Sequence, residues 1–129
     1  SKGEVPIGCA ISIEDECIAL SHNLSIAEND PTAHAEMLAL KEAAQRIKNH
    51  RLAHATLYVT LEPCMMCLGA LIQARIQRLV YAAEDQRVGI ISTHQLHQLP
   101  HLNHRITIEQ GPYAQEAAQI LRQFFREKR

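Results

Sequence analysis

The sequence predicts an α/β domain in which helices cover a mixed β-sheet. The middle of the chain gives the clearest indication, because two strand-like runs at 55–61 and 78–84 flank a helical pattern that begins after Pro63. A second helical pattern precedes this unit, and a third closes the chain. The chain has 129 residues with neither repeats nor linkers, so we expect one domain spanning residues 1–129.

Composition excludes several classes of protein. Hydrophobic residues make up 47% of the chain, which is normal for a globular core and excludes intrinsic disorder. No apolar run approaches the roughly 18 to 20 residues that span a bilayer, and none resembles a secretory signal, so we expect a cytoplasmic protein. The formal net charge of −1 indicates no global basic field, so a nucleic acid would be bound through a local patch.

The first half of the chain is predicted to form two strands and a helix. Segments 6–13 and 16–23 have apolar strand patterns and are joined by an acidic turn. From Pro31 to about Lys48 apolar residues recur at helical spacing. Asp30 is the expected N-cap of this helix, with Pro31 at the first helical position.

The second half is predicted to contain three strands and two helices. Run 55–61 is apolar on both faces, which is typical of a buried strand, and a helix follows from Pro63. Run 78–84 is a second buried strand, and 105–111 is a further one. Pro112 then begins the terminal helix.

The four cysteines fall into two groups. Cys9 and Cys17 lie in the strand patterns, and we interpret both as structural. Cys64 and Cys67 form a Cys-x-x-Cys pair, which in an intracellular protein indicates a metal site or a redox pair. Taken alone, the spacing does not separate a redox pair, two core thiols and a zinc pair.

A histidine elsewhere in the chain favours the zinc interpretation. Cys64 and Cys67 begin a helix, whose free N–H groups stabilise the thiolates that bind metal. His34, which lies in the first turn of the helix predicted from Pro31, supplies a third ligand, and three protein ligands leave the open position that is typical of catalytic zinc. Glu36 could shuttle protons beside the metal without binding it. The combined pattern, His-x-Glu with Pro-Cys-x-x-Cys, is a signature of zinc nucleobase deaminases.

The chain resembles the cytidine deaminase superfamily, and within it the bacterial tRNA-specific adenosine deaminases. The resemblance covers residues 5–129. It is carried by "VPIG" (5–8), Asn23, "DPTAHAE" (30–36), "LYVTLEPCMMC" (57–67), "ARIQRLVYAAED" (74–85), "LNHRI" (102–106) and "FFREKR" (124–129).

The resemblance implies a three-layer fold, with a five-stranded mixed sheet and helices on both faces. It also implies a homodimer that converts adenosine to inosine at the wobble position of a tRNA anticodon stem-loop, with one Zn²⁺ per subunit. The site residues that it implies are His34, Cys64 and Cys67 for zinc, Glu36 for proton transfer, Asn23, Val5 and Ile7 for the base, and Asp85 and Asn103 at the RNA-facing rim.

The chain departs from the family pattern in three places. The usual N-terminal helix of the family has no counterpart before Val5. Leu24 follows the base-binding asparagine, where the family commonly has arginine. The family has a segment of small residues after the strand predicted at 78–84, and here "GIISTHQL" (89–96) replaces it.

Other functions remain open at this point. A guanine or cytosine deaminase that acts on a free base would use the same zinc site. A catalytically silent zinc scaffold or RNA-binding module is a third possibility, although Glu36 argues against it because a structural site has no use for that carboxylate.

Two further features could contribute to binding. The four histidines at 94, 97, 101 and 104 could form a second metal site, but Pro100 interrupts the helix that would align them. In the terminal helix, basic residues alternate with aromatic ones and could hold an RNA backbone, although core packing explains a phenylalanine there equally well. These residues are Arg122, Phe124, Phe125, Arg126, Lys128 and Arg129.

Overall fold

The computed structural model describes residues 3–127, which form five strands, three α-helices and one short 3-10 helix. The elements are β1 (Gly8–Ile13), β2 (Glu16–His22), α1 (Ala35–Ile47), β3 (Ala55–Leu61), α2 (Met65–Gln73), β4 (Arg78–Ala83), the 3-10 helix (Leu96–Gln98), β5 (Thr107–Gln110) and α3 (Ala114–Glu127). No helix within this part of the chain is both long enough and apolar enough to cross a bilayer.

The strands form one mixed sheet in the order β2-β1-β3-β4-β5. Strand β1 is antiparallel to both of its neighbours, whereas β3, β4 and β5 are parallel to one another. Helix α1 packs on β1 and β2 and contacts α2, while α3 packs on β3 and β4. The predicted five-stranded sheet with helices on both faces is therefore confirmed.

The hydrophobic core lies between the sheet and the helices α1 and α2. Alternate side chains of a strand point to opposite faces, so Leu79 and Tyr81 of β4 join this core. Val80 points the other way and is also buried, on the face where α3 packs. The largest fully buried hydrophobic side chains are Ile11, Leu52, Leu57, Leu71, Ile76 and Leu79.

Helix α1 begins later than the sequence predicted. Asp30 does not cap it, because its carboxylate accepts hydrogen bonds from the Thr32 N–H at 2.8 Å and the Thr32 hydroxyl at 2.7 Å. An aspartate that bonds to the backbone two residues ahead stabilises a turn, so residues 31–33 stay outside the helix. The N-cap is His34, and α1 begins at Ala35.

The two other helices each begin two residues after the predicted proline. Cys64 is the N-cap of α2, which begins at Met65, and α3 begins at Ala114. Two candidate zinc ligands, His34 and Cys64, therefore occupy the N-cap positions of two different helices.

The two structural cysteines have different surroundings. Cys9 is 3% exposed in β1, as the sequence predicted. Cys17 also lies in its predicted strand, β2, but it is exposed on this edge strand of the sheet. Two side chains of α1 bond to backbone groups of this edge strand and so limit its pairing with another strand. Glu42 accepts the Leu20 N–H at 3.1 Å, and Arg46 donates to the Ile18 carbonyl at 3.3 Å.

Candidate metal centre and substrate cavity

Three of the predicted site residues meet where the N-termini of α1 and α2 converge. The ligand atoms of His34, Cys64 and Cys67 all lie within 4.8 Å of one another. The His34 Nδ1 atom is 3.6 Å from each of the two Sγ atoms. Within residues 3–127 this is the one group of three or more histidine, cysteine or acidic side chains that could hold a metal ion.

The spacing of these atoms can be compared with what zinc requires. Zinc–sulfur bonds of about 2.3 Å and zinc–nitrogen bonds of about 2.05 Å at a tetrahedral angle place sulfur and nitrogen about 3.6 Å apart. The observed separations of 3.6 Å match this value. The set of donors, two thiols and one imidazole, also fits zinc, and three ligands leave a fourth position open.

The two thiols differ in acidity when no metal is bound. Hydrogen bonds from the Cys67 thiol and the Cys67 backbone N–H, together with the nearby His34, lower the pKa of Cys64 to about 5. The pKa of Cys67 is raised, first because its proton is held by Cys64 and then because it is buried. Cys64 is therefore a thiolate at neutral pH, which is the form that binds a metal.

Glu36 lies beside this group as the second residue of α1. It is 4% exposed, and burial raises the pKa of its carboxyl above the ordinary value. The negative charge of Cys64 acts in the same direction. A carboxyl whose pKa is raised can hold and release a proton closer to neutral pH, as a proton shuttle must.

A cavity of about 660 Å³ opens over the His34, Glu36 and Cys64 side chains. Four more predicted residues line it, namely Val5, Ile7, Asn23 and Asp85. Cys67 is fully buried behind the wall and does not line the cavity. Seven of the nine predicted site residues thus surround one space.

The Asn23 side chain is fixed by the helix that carries Glu36. Its Oδ1 accepts the backbone N–H of Ala35 at 2.8 Å, and the residue is 7% exposed. With the oxygen occupied in this way, the amide nitrogen is the group that Asn23 can offer to a bound molecule. Asn23 can therefore act as a hydrogen-bond donor to an acceptor atom in the cavity.

The two predicted rim residues lie in different places. Asp85 lines the cavity, but its carboxylate accepts the N–H groups of Arg87 at 3.0 Å and Val88 at 3.4 Å and so supports a turn. Asn103 is not among the residues that line the cavity. Its Oδ1 accepts a hydrogen bond at 3.3 Å from Arg75, which follows the end of α2.

The mouth of the cavity contains cationic and aromatic residues from two segments. Arg122, Phe125 and Arg126 come from α3, and Arg87 comes from the segment after β4. The Arg87 guanidinium lies 5.9 Å from the centre of the Phe125 ring. The basic pattern of the terminal helix predicted the α3 residues, but nothing in the sequence around Arg87 indicated its place. The last two residues of that pattern, Lys128 and Arg129, lie outside the described residues.

The other histidines do not gather into a second metal group among residues 3–127. His104 is held by the Ile76 carbonyl at 2.7 Å from its Nε2 atom. His97 follows Leu96 in the 3-10 helix, and its buried Nδ1 has no hydrogen-bond partner. The regular structure around these histidines is the short 3-10 helix, which ends before Pro100.

Comparison with known proteins agrees with this geometry. The family model for MafB19-like deaminases matches residues 1–129. A tRNA-specific adenosine deaminase of Haemophilus influenzae is 45% identical over 131 residues, covering 98% of this chain and 75% of that protein.

Two solved structures are also similar. One, from a study of A-to-I editing by tRNA:A34 deaminases at the wobble position, has a TM-score of 0.85 and 39% identity, covering 89% of this chain and 84% of that one. The other, a guanine deaminase from Nitrosomonas europaea, has a TM-score of 0.74 and 27% identity, covering 92% and 71%. The chain therefore belongs to the MafB19-like deaminase family and is a relative of the tRNA-specific adenosine deaminases.

Proposed function

We propose that this enzyme hydrolyses adenosine to inosine and ammonia at the wobble position of a tRNA anticodon. The observation that carries the proposal is the His34, Cys64 and Cys67 triad beside buried Glu36, in a cavity that three exposed arginines also line. The 45% identity to a tRNA-specific adenosine deaminase over nearly the whole chain supports the same substrate. A tRNA substrate would also agree with the cytoplasmic location that the sequence suggests.

The Nδ1 atom of His34 and the Sγ atoms of Cys64 and Cys67 would hold one zinc ion per subunit. When bound, zinc supplies a Lewis acid that lowers the pKa of water and so provides the nucleophile for hydrolysis. The lowered pKa of Cys64 favours the thiolate form that would bind zinc.

Glu36 would move the protons of the reaction. It would take a proton from the attacking water and deliver it to N1 of adenine as the carbon–oxygen bond forms at C6. It would then take the proton of the new hydroxyl group on C6 and pass it to the amino group, so that the C6–N bond breaks, ammonia leaves and inosine remains. Its buried position beside Cys64 and Cys67 keeps the carboxyl next to the reacting carbon and out of bulk water.

The remaining predicted residues would bind and orient the base. Val5 and Ile7 offer apolar surface to the ring, and the Asn23 amide would donate to one of its acceptor nitrogens. A base must leave its stack to enter such a cavity, which costs little for an unpaired nucleotide in a loop.

RNA rather than a free base is favoured by the cavity mouth. Arg87, Arg122 and Arg126 would bind phosphates, and Phe125, which is 43% exposed, would stack on a neighbouring base. A free base has no phosphates, so the three arginines would have no phosphate to bind.

The proposal includes a homodimer. Asn103 does not line the cavity of its own subunit and lies instead beside Arg75 at the end of α2. In a dimer whose RNA groove includes surface from both subunits, Asn103 would contact the RNA bound at the partner's cavity.

A second candidate is the deamination of free guanine. It is favoured by the structural similarity to a guanine deaminase at a TM-score of 0.74, although the identity is 27%. The residues that would hold zinc and transfer protons are the same in both proposals, so the substrate alone separates them.

The test is a parallel assay of the zinc-loaded protein on three substrates. These are an anticodon stem-loop with adenosine at the wobble position, free guanine and free cytosine. Inosine in the stem-loop without turnover of the free bases supports the proposal, and turnover of a free base alone refutes it. Glu36→Gln keeps the shape of the side chain and should reduce activity by about 10²- to 10⁴-fold.

A further inference from the structure

A second buried carboxylate lies in the cavity wall and has no part in the chemistry proposed above. Glu62 follows β3 two residues before Cys64 and is 2% exposed. Its Oε1 accepts the Asp85 N–H at 2.9 Å and the Ser92 hydroxyl at 2.8 Å. Its Oε2 accepts the N–H groups of Ile91 at 2.8 Å and Ser92 at 2.7 Å.

These four bonds leave Glu62 no capacity for chemistry. An ionised carboxylate has about four lone-pair sites, and here every one of them has a donor from the protein. Glu62 cannot bind a ligand without releasing one of those donors. In this it differs from Glu36, the other buried carboxylate of the cavity, so the two residues have separate tasks.

The donors to Glu62 belong to one segment, residues 85–92, here called the 85–92 loop. Asp85 begins the loop, while Ile91 and Ser92 end it, so one carboxylate holds both ends. Ile90 and Ile91 are 4% and 3% exposed and fix the far end in the hydrophobic core. The middle of the loop, which includes Arg87, lines the cavity between these two anchors.

The influence of Glu62 extends from the loop to helix α3. Arg87 lies 5.9 Å from the centre of the Phe125 ring, so the loop and the helix meet at the cavity mouth. Glu62 thus connects the segment that carries Cys64 to Arg87 and Phe125, two of the side chains that would face RNA. Movement of the loop would displace the Arg87 charge from the position that Phe125 supports.

We propose that Glu62 is a positioning residue that sets affinity for the RNA around the reacting base by holding the 85–92 loop. The proposal rests on the RNA substrate proposed above. It predicts a change in KM with little change in kcat, because Glu62 does not touch the reacting atoms. A residue that only stabilised the fold would change neither parameter in the molecules that remain folded.

Glu62→Gln replaces one acceptor oxygen by an NH2 group that faces two donors, so at least one end of the loop is released. We expect KM for the stem-loop to rise about tenfold and kcat to stay within about twofold. Ser92→Ala removes one of the four bonds and leaves the backbone bonds in place, so KM should rise about threefold. Ile11→Val is the control, because Ile11 is fully buried in β1 and does not line the cavity. The loss of one methylene group there should lower the stability of the fold and leave KM unchanged.

The outcomes separate the positioning role from the proposed substrate. If Glu62→Gln does not fold, Ser92→Ala decides the question, and an unchanged KM in that variant overturns the positioning role. An unchanged KM in both variants, or a fall in kcat alone, overturns it as well. A wild-type enzyme that does not deaminate the stem-loop overturns both proposals, whereas wild-type activity with unaltered variants overturns the role of Glu62 alone.

Discussion

Replacement of Arg122 by glutamine is expected to weaken RNA binding and to reduce its dependence on salt. Three arginines line the cavity mouth, namely Arg87, Arg122 and Arg126. Each phosphate neutralised on a single strand contributes about −0.7 to the slope of log affinity against log salt. Three contacts give a slope of about −2.1, so a fourfold rise in salt weakens binding about 18-fold.

The variant retains two of the three contacts. Its slope should be about −1.4, so the same fourfold rise in salt weakens binding about sevenfold. The assay is fluorescence anisotropy of a labelled anticodon stem-loop at several salt concentrations. Both proteins carry Glu36→Gln, so that the RNA is not converted during the titration.

Arg46 provides the matched control. It is also an exposed arginine, but it lies on α1, bonds to carbonyls of β2 and is not among the cavity residues. Arg46→Gln should leave the slope unchanged. The phosphate role of Arg122 is refuted if Arg122→Gln has the wild-type slope, or if both variants lower it equally.

Four further predictions concern the metal, the core, a turn and a surface ion pair. Cys67→Ser should abolish zinc retention, measured by elemental analysis, because a buried hydroxyl does not ionise as a thiol does; retention of one equivalent would contradict the assigned ligand set. Leu57→Ala, in the fully buried centre of β3, should lower the free energy of unfolding by about 2–5 kcal/mol in urea titrations. Gly89→Ala should cost about 1–3 kcal/mol in the same titration, because Gly89 has φ of 57° and a Cβ there would lie 3.2 Å from a backbone oxygen and closer still to two hydroxyls. The hydrogen-bonded Arg78 guanidinium lowers the pKa of Glu109, so this pair stabilises the fold above the unfolded pKa of about 4.3, and the stabilisation is lost as pH falls through the folded pKa. The Tm difference between wild type and Glu109→Gln should therefore vanish in acid. A difference that stays constant with pH would argue against the ion pair.

The regular elements could be predicted from local patterns with small errors at their ends. Strand β3 was predicted with the bounds that it has, because a continuous run of β-forming residues needs no long-range information. The start of α1 was predicted at Pro31 and found at Ala35. The cause is local competition, since Asp30 bonds to Thr32 and not to the first turn of the helix.

The metal group was predictable because its spacing is itself the signal. Two cysteines three residues apart at a helix start, together with a His-x-Glu in the first turn of another predicted helix, indicate one shared metal site. Glu62 and Arg87 were not predictable in the same way, because their roles depend on contacts with residues 20 to 40 positions away. Asn103 was predicted from resemblance alone, and its contact with Arg75 within the subunit could not be inferred from the sequence.

The most direct test of the proposed chemistry is deamination of the wobble-adenosine stem-loop by the zinc-loaded enzyme in ¹⁸O-labelled water. Nuclease digestion and mass spectrometry of the product locate the inosine and measure its mass. The proposed reaction predicts inosine at the wobble position alone, heavier by one ¹⁸O atom, with almost none formed by Glu36→Gln. Inosine without the label, or an unchanged stem-loop beside rapid turnover of free guanine, would contradict it.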